Sequence, residues 1–331
     1  MSKTLEPATR PKLATSTKFL LGYLLFAAAA LLITWLRDSP NLWLEIDSST
    51  GVPRVPTNEV FPYDRSNTIV AVVLQTSIGL IGTVFGIREL IRTKRALPLM
   101  VSLSGVMIVF PEVFLDIIGM VYFPVDDADN VFTIFGRQMG VFILAGWFGY
   151  GVFNYVTFKV LERRPTTRAL WLMLLGSALG AIFMEELLQW AGGMYHYYGN
   201  QPLELLRLPQ WWTPCNAIGC GFLPAVLAYR FREHLEGWRS LSMLVISPLC
   251  VTATYGAIAF PSWIVVNGDY PWLITQLAGL ATVGLGVLLA AGIMRVLLQR
   301  DPFDLSEPAR LTDDPALDPR PESVRTTTQK S

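Results

Sequence analysis

The sequence predicts an all-α polytopic membrane bundle of about eight transmembrane helices. Three observations predict it. Of 331 residues, 52% are hydrophobic and only 16% are charged, well under the quarter usual for soluble domains. Apolar runs recur along the chain, each near the 20-residue length that crosses a hydrocarbon core about 30 Å thick. The basic residues cluster in alternate connections between those runs, the asymmetry that orients membrane helices.

The N-terminal segment, residues 1–17, is polar and basic (Lys3, Arg10, Lys12). Lys18 opens the first run, which ends at Trp35-Leu36-Arg37-Asp38 with no small-x-small cleavage site, so it reads as a retained span. Residues 37–66, rich in Pro, Asp and Ser, form an extracytoplasmic loop. The second run, about Thr68 to Ile87, is closed by Arg88, Arg92, Lys94 and Arg95. The third, about Leu97 to Phe123, exits into the acidic turn Asp126-Asp127-Ala128-Asp129. The fourth, about Thr133 to Val160, precedes Arg163, Arg164 and Arg168.

The fifth run, about Ala169 to Gly192, leads into a polar-aromatic loop from Gly193 to Gln210. The sixth, about Trp211 to Tyr229, is closed by Arg230, Arg232 and Arg239. The seventh, about Leu241 to Val266, is broken by Pro248 and Pro261, and the eighth, about Pro271 to Leu298, ends near Arg295 and Arg300. The basic clusters put both termini in the cytoplasm and make residues 18–300 a multi-pass bundle of the cell (plasma) membrane. The tail, residues 301–331, has few large apolar side chains and is expected to be a disordered cytoplasmic segment.

Composition also excludes. Net charge is zero, so no global field calls for a nucleic acid partner. Cys215, Cys220 and Cys250 lie in apolar runs without a CxxC spacing, and there are only two histidines, so neither a metal nor a disulfide framework is expected. Motifs for dinucleotides, phosphoryl transfer, acyl transfer and zinc hydrolysis are absent from the sequence, and no cofactor is expected.

Against this apolar background, Pro111-Glu112-Val113-Phe114-Leu115-Asp116 stands out. Carboxyls four residues apart share one helix face, and a carboxyl within a span faces a bundle interior and marks function by default. If the third span exits near Phe123, Asp116 lies roughly 10 Å and Glu112 roughly 16 Å from its outer end. Glu185 and Glu186 lie roughly 10 Å from the outer end of the fifth span, with Gln189 a turn above. Adjacent residues point about 100° apart, so only one of that pair is expected to face a given cavity. Asn216 follows Trp211-Trp212 just inside the sixth span, and Arg137 enters from the same side in the fourth. His196 and Tyr195, Tyr197 and Tyr198 stand in the loop before the sixth span. The unusual polar groups thus collect in the outer half. Structural alternatives stand beside each: a buried ion pair for the acids, snorkelling for Arg137, an aromatic belt for the Tyr and Trp residues.

Paired carboxyls provide a general acid and a base or cation-stabilising neighbour, and aromatic faces suit cationic carbon and apolar ligands. That set fits acid-catalysed cyclisation, dehydration or hydration of a lipophilic small molecule. Two other readings compete: a terpenoid or carotenoid cyclase or hydratase, and a proton-coupled carrier of a lipophilic metabolite, since intramembrane acids also serve as proton relays.

Several stretches agree, in order, with one family. Pro111-Glu112 with Asp116 and Gly119, then Phe135-Gly136-Arg137, then Tyr197-Tyr198-Gly199-x-Gln201-Pro202 leading through Pro209 to Trp211-Trp212, resemble the spirocyclase AveC family of actinobacterial membrane proteins. Tyr255-Gly256, Pro261 and Asn267-Gly268-x-Tyr270 extend the resemblance, which covers roughly residues 65–298. It implies a polyketide-tailoring enzyme that closes a dihydroxy-ketone into a spiroketal and in some cases removes water. On that reading Glu112 or Asp116 protonates departing water while the other stabilises the cation. Glu185 or Glu186 accepts a proton from the attacking hydroxyl. Arg137, Asn216 and His196 orient oxygens, and Gln189, Tyr197, Trp211, Trp212 and Tyr255 line the substrate site.

Overall fold

The computed structural model describes residues 15–37, 45–163, 165–299 and 301–305. Most of the N-terminal segment, part of the first loop and most of the tail, including its expected disorder, lie outside the described residues. Among the described residues, eleven α-helices carry the fold. The first two are α1 (Thr15–Leu36) and α2 (Arg65–Thr93). Next, α3 (Leu97–Leu103) runs through a 3-10 stretch, Ser104–Ile108, into α4 (Val109–Gly119). After it come α5 (Val141–Glu162) and α6 (Thr167–Gly192). A mixed passage follows, α7 (Trp212–Cys215), a π-helical segment at Asn216–Phe222 and α8 (Leu223–Arg230). The chain finishes with α9 (Met243–Ile258), α10 (Phe260–Val266) and α11 (Trp272–Leu298).

Among the described residues, seven helical stretches are long and apolar enough to cross a membrane, so the chain is a membrane-embedded, multi-pass helical bundle. The expected sixth span is the mixed passage Trp212–Arg230. Pro224 withholds a backbone N–H there, and the ladder shifts to π geometry just before it. In the expected seventh span Pro248 sits inside an unbroken α9, and the interruption comes only at Ala259, with Pro261 in the first turn of α10.

Small residues let the central helices approach closely, the usual device where lipid supplies no hydrophobic drive. A side chain at Gly82 would meet Ser102 and Val152, one at Gly86 would meet Leu99, and a Cβ at Gly151 would come within 1.9 Å of the Ser102 carbonyl oxygen. These contacts lock α2, α3 and α5 together. By contrast α1 leaves Leu20, Leu24, Leu25 and Trp35 exposed and is held chiefly by α11, for instance through the Tyr23 hydroxyl on the Leu280 carbonyl at 2.7 Å.

The bundle's two ends differ. At one, Arg95 bonds Glu162 at 2.8 Å and Glu236 at 3.1 Å, while Lys159 bonds Glu89 at 2.8 Å and also Glu162. The first residues of the tail pack there too, with Phe303 against Phe19 and Trp171. At the other end the connections are structured. Short strands β1 (Val121–Tyr122), β2 (Asn130–Ile134), β3 (Arg137–Gly140) and β4 (His196–Tyr197) form two antiparallel ladders, β1 with β4 and β2 with β3.

Two sequence expectations are corrected at this end. The third span stops at Gly119, not near Phe123, because Met120 takes a left-handed conformation and the chain turns into β1. Asp116 is therefore only three residues, about 5 Å, from its helix end, and Glu112 about 10 Å. Nor does the fourth span begin at Thr133. Residues 130–140 are a hairpin turned at Phe135 and Gly136, φ 51° and 74°, the positive pair that matches strand twist. Arg137 thus sits on a strand, and α5 starts only at Val141.

Candidate functional site

A cavity opens inside the bundle at the hairpin-bearing end, enclosing about 130 Å³. A single water takes about 10–15 Å³ on that measure, so several waters or a slender ligand fit. Glu112 and Asp116 from α4, Glu185 from α6, Asn216 from the π segment, Tyr197 from β4, Trp212 from α7 and Tyr255 from α9 all line it. The rest of the wall is largely apolar, including Ile78, Phe123, Phe142, Ile143, Phe153 and Leu188.

One side of the cavity is wired. Glu185 accepts from the Tyr197 hydroxyl at 2.7 Å and from Asn216 Nδ2 at 2.9 Å. The other Asn216 amide atom, Oδ1, accepts from the Tyr255 hydroxyl. Asn216 therefore joins an acid and a phenol across three elements, and the π segment that starts at it turns its amide into this chain. Trp212 closes the wall, with its ring 5.6 Å from Tyr197 and 5.4 Å from Tyr255. It lies directly on Gly119, where any Cβ would stand 2.3 Å from the ring. This explains a glycine one turn beyond Asp116: the indole needs the space.

Other polar atoms of the wall are unsatisfied. Asp116 is 3% exposed, and its Oδ2 is buried without a hydrogen-bond partner, as are Trp212 Nε1, the Tyr150 hydroxyl and Gln75 Oε1, all from residues of the wall. Buried polar atoms are nearly always bonded, so four such atoms around one cavity point to polar contents. Arg137 is close enough for its charge to act on Asp116, yet no ion pair among the described residues joins it to the cavity acids. Its guanidinium bonds the Tyr198 hydroxyl instead.

Other expected residues lie outside this wall. Glu186 turns to the connection before α7 and accepts from the backbone amides of Arg207 and Leu208 at 2.8 and 2.7 Å. Of the adjacent glutamates, then, only Glu185 faces the cavity. Gln189 is buried one turn on, its carbonyl bonded by Arg207 at 2.9 Å. Trp211 is fully buried and donates to Gln201 Oε1 at 3.0 Å. Gln201 in turn donates to the carbonyls of Gly119 at 2.9 Å and Tyr198 at 2.8 Å, pinning the loop to the end of α4.

His196 stands on β4 behind the cavity, stacked on Phe61 at 3.8 Å. Burial pushes its pKa down to about 4, so it is neutral near pH 7. Among the described residues, no cluster of His, Cys, Asp and Glu is arranged to hold a metal.

Sequence reasoning missed Gln75, Trp147 and Tyr150. Each is uncharged, and inside an apolar run a lone amide or phenol resembles packing. The available signal was Gln75, an isolated amide amid ten residues of Val, Ile, Leu, Ala, Thr and Ser. No family model matches the chain, and neither a curated protein nor a solved structure does.

Proposed function

We propose that this chain is an integral membrane cyclase of the spirocyclase type, in the spirocyclase AveC family, acting on a lipophilic polyketide-like hydroxy-ketone at the cell membrane. The observation that carries the reading is the cavity itself. Glu112, Asp116 and Glu185 come from two spans to one aromatic-walled space with no cation in its wall. Spiroketal closure needs a hydroxyl to add to a ketone, and the resulting hemiketal hydroxyl to leave as water. A second hydroxyl then attacks the oxocarbenium ion and loses its proton. One of Glu112 and Asp116 protonates the departing water, and the other carboxylate stabilises the cation. Glu185, held by Tyr197 and Asn216, accepts the proton of the second hydroxyl. The reaction is balanced without redox chemistry, one water being released per ring system closed.

The test is metabolite profiling of a deletion strain, where a linear keto-diol should accumulate, with complementation by variants. Asp116→Asn and Glu112→Gln should each abolish turnover while membrane insertion survives. Near-normal activity in both would sink the assignment. A second reading draws support from the rings of Trp147, Tyr197, Trp212 and Tyr255 around the cavity. Such faces also stabilise the carbocations of an isoprenoid cyclase or hydratase. An accumulating isoprenoid in place of a keto-diol would select it.

A further inference from the structure

We infer that the cavity is entered from the bilayer, through a groove that runs along α5 between α2 and α6, and that this groove holds the apolar chain of a membrane-dissolved ligand whose oxygenated end lies among the acids. The floor of the groove is one face of α5. Phe142, Gly146, Gly149 and Phe153 follow one another at spacings of four, three and four residues, which puts them on one helix face. All four line the cavity. Three residues past Phe153 the same face reaches Val156, which is 48% exposed. A single stripe thus leads from the buried cavity to the outside of the bundle. Val156 lies roughly 22 Å from the start of α5, short of the span of a hydrocarbon core about 30 Å thick, so the groove meets acyl chains and not water.

The walls are α2 and α6. On α2, Gly79 receives the ring of Phe148 and Gly82 the side chain of Val152, so this helix packs along one flank of α5. Helix α6 packs instead on the π segment, and meets α5 where a Cβ at Gly180 would stand 3.3 Å from the Phe153 ring. One turn further from the hairpin-bearing end than that contact, the groove is open. Gly176 is exposed there, and a Cβ on it would meet nothing within 4 Å. Leu74 and Ile81 on α2, and Leu179 and Phe183 on α6, are exposed apolar residues of the flanking lipid-facing surface. The hairpin-bearing end is roofed. Val121, Tyr195 and Tyr197 are buried there, and Phe123 packs on Phe142 at 5.7 Å and on Tyr195 at 5.9 Å.

The lining decides the occupant. Ile78, Phe153, Gly180 and Met184 bring neither a charge nor a strong hydrogen-bonding group to the cavity's α2–α6 edge, whereas the acids and the unbonded Asp116 Oδ2 lie in the cavity itself. A ligand that seats its oxygens on the acids therefore leaves its apolar part along α5. A phospholipid does not suit, because its phosphate has no cation to meet in a wall that holds three acids. The ligand class is an uncharged lipophile that partitions into the bilayer before it binds. This inference rests on the proposed cavity being the ligand site, but not on the reaction performed there.

The experiment uses the full chain in phosphatidylcholine nanodiscs, with 1-hexadecanol carrying a mid-chain diazirine as photolabel and unlabelled 1-hexadecanol as competitor. Labelling that the competitor removes should fall on Phe153, Val156 and the turn from Gly176 to Gly180. Labelling of the exposed face of α1, at Leu24 and Leu25, should persist as the bulk-lipid reference. Val156→Trp and Gly176→Trp fill the mouth of the groove from two helices at exposed sites. Each should cut the competed labelling of Phe153 about 10-fold, and Val156→Ala should hold it within about 2-fold. The pattern in the unaltered chain decides alone if neither tryptophan variant accumulates. Absence of competed labelling in the groove, or competed labelling that survives both tryptophan substitutions, would overturn the route. A diazirine-bearing phosphatidylcholine that labels the same residues and is displaced by 1-hexadecanol would overturn the ligand class. Normal turnover in Asp116→Asn with the groove labelling intact would instead remove the reaction and leave the groove standing.

Discussion

The Glu185–Asn216–Tyr255 chain predicts a measurable coupling. Asn216 is 7% exposed and Tyr255 1% exposed, so bulk solvent does not reach either to replace a lost partner. Asn216→Leu removes the donor to Glu185 Oε1 and the acceptor for the Tyr255 hydroxyl. Each of the two buried groups left unpaired costs about 1–3 kcal/mol, and the leucine recovers about 1 kcal/mol of apolar burial, so the net loss is about 1–5 kcal/mol. Tyr255→Phe leaves only Asn216 Oδ1 short of a strong donor, with Cys220 Sγ at 3.9 Å as a weak one, and costs about 1–2 kcal/mol. In the Tyr255→Phe background, Asn216→Leu no longer strands a phenol. The double-mutant cycle should therefore show about 1–2 kcal/mol of coupling. Unfolding in mixed detergent micelles, followed by tryptophan fluorescence, reads the four free energies. Additivity within about 0.5 kcal/mol would refute the chain as drawn.

Two further predictions follow from the same end of the bundle. Gly119→Ala drives a methyl group into the Trp212 ring, which is rigid, and should cost about 1–3 kcal/mol of stability. Trp212→Leu should make Gly119→Ala nearly neutral, read by the same unfolding assay. His196 gives a pH dependence. Its folded pKa of about 4 lies below the ordinary 6.5, so the unfolded chain takes up a proton first as pH falls. Its neutral burial therefore costs nothing above pH 6.5, and stability drops progressively between pH 6.5 and 4. His196→Phe, which keeps the stack on Phe61, should flatten that part of the stability profile. An unchanged slope would show that other groups carry it.

Hydropathy and charge made the bundle legible because a membrane penalises any other arrangement of such runs. The acids were legible for the same reason: a carboxyl inside an apolar run has few explanations. The hairpin at residues 130–140 was not legible. Thr133, Ile134 and Phe135 read as the start of a span, and the positive φ at Phe135 is carried by a residue that seldom marks a turn. The opposite end was only half legible. Arg95 stood out in a basic cluster, but Lys159 fell inside the fourth apolar run, and Glu89, Glu162 and Glu236, far apart in sequence, gave no sign of meeting either. Periodicity could narrow Glu185 and Glu186 to one cavity-facing residue but could not choose between them. The choice came from the loop before α7, whose backbone amides claim Glu186.

The contrast between the two ends bears on function. At the end holding Arg95 and Lys159, each of these cations meets two glutamates, and the cluster's charge is settled within the chain. At the cavity, three acids face one space with no cation in the wall, and one of them, Asp116, keeps an oxygen wholly without a partner. A chain whose only need was to fold would gain by pairing Asp116 or replacing it with an apolar residue, since a lone buried carboxyl is among the more expensive groups a fold can carry. Arg137 is at hand for such a pairing, but its guanidinium goes to Tyr198. Stability alone therefore gives no reason for the arrangement. A ligand whose oxygens complete the missing bonds does, and it also accounts for the unmet atoms of Tyr150 and Gln75 in the same wall.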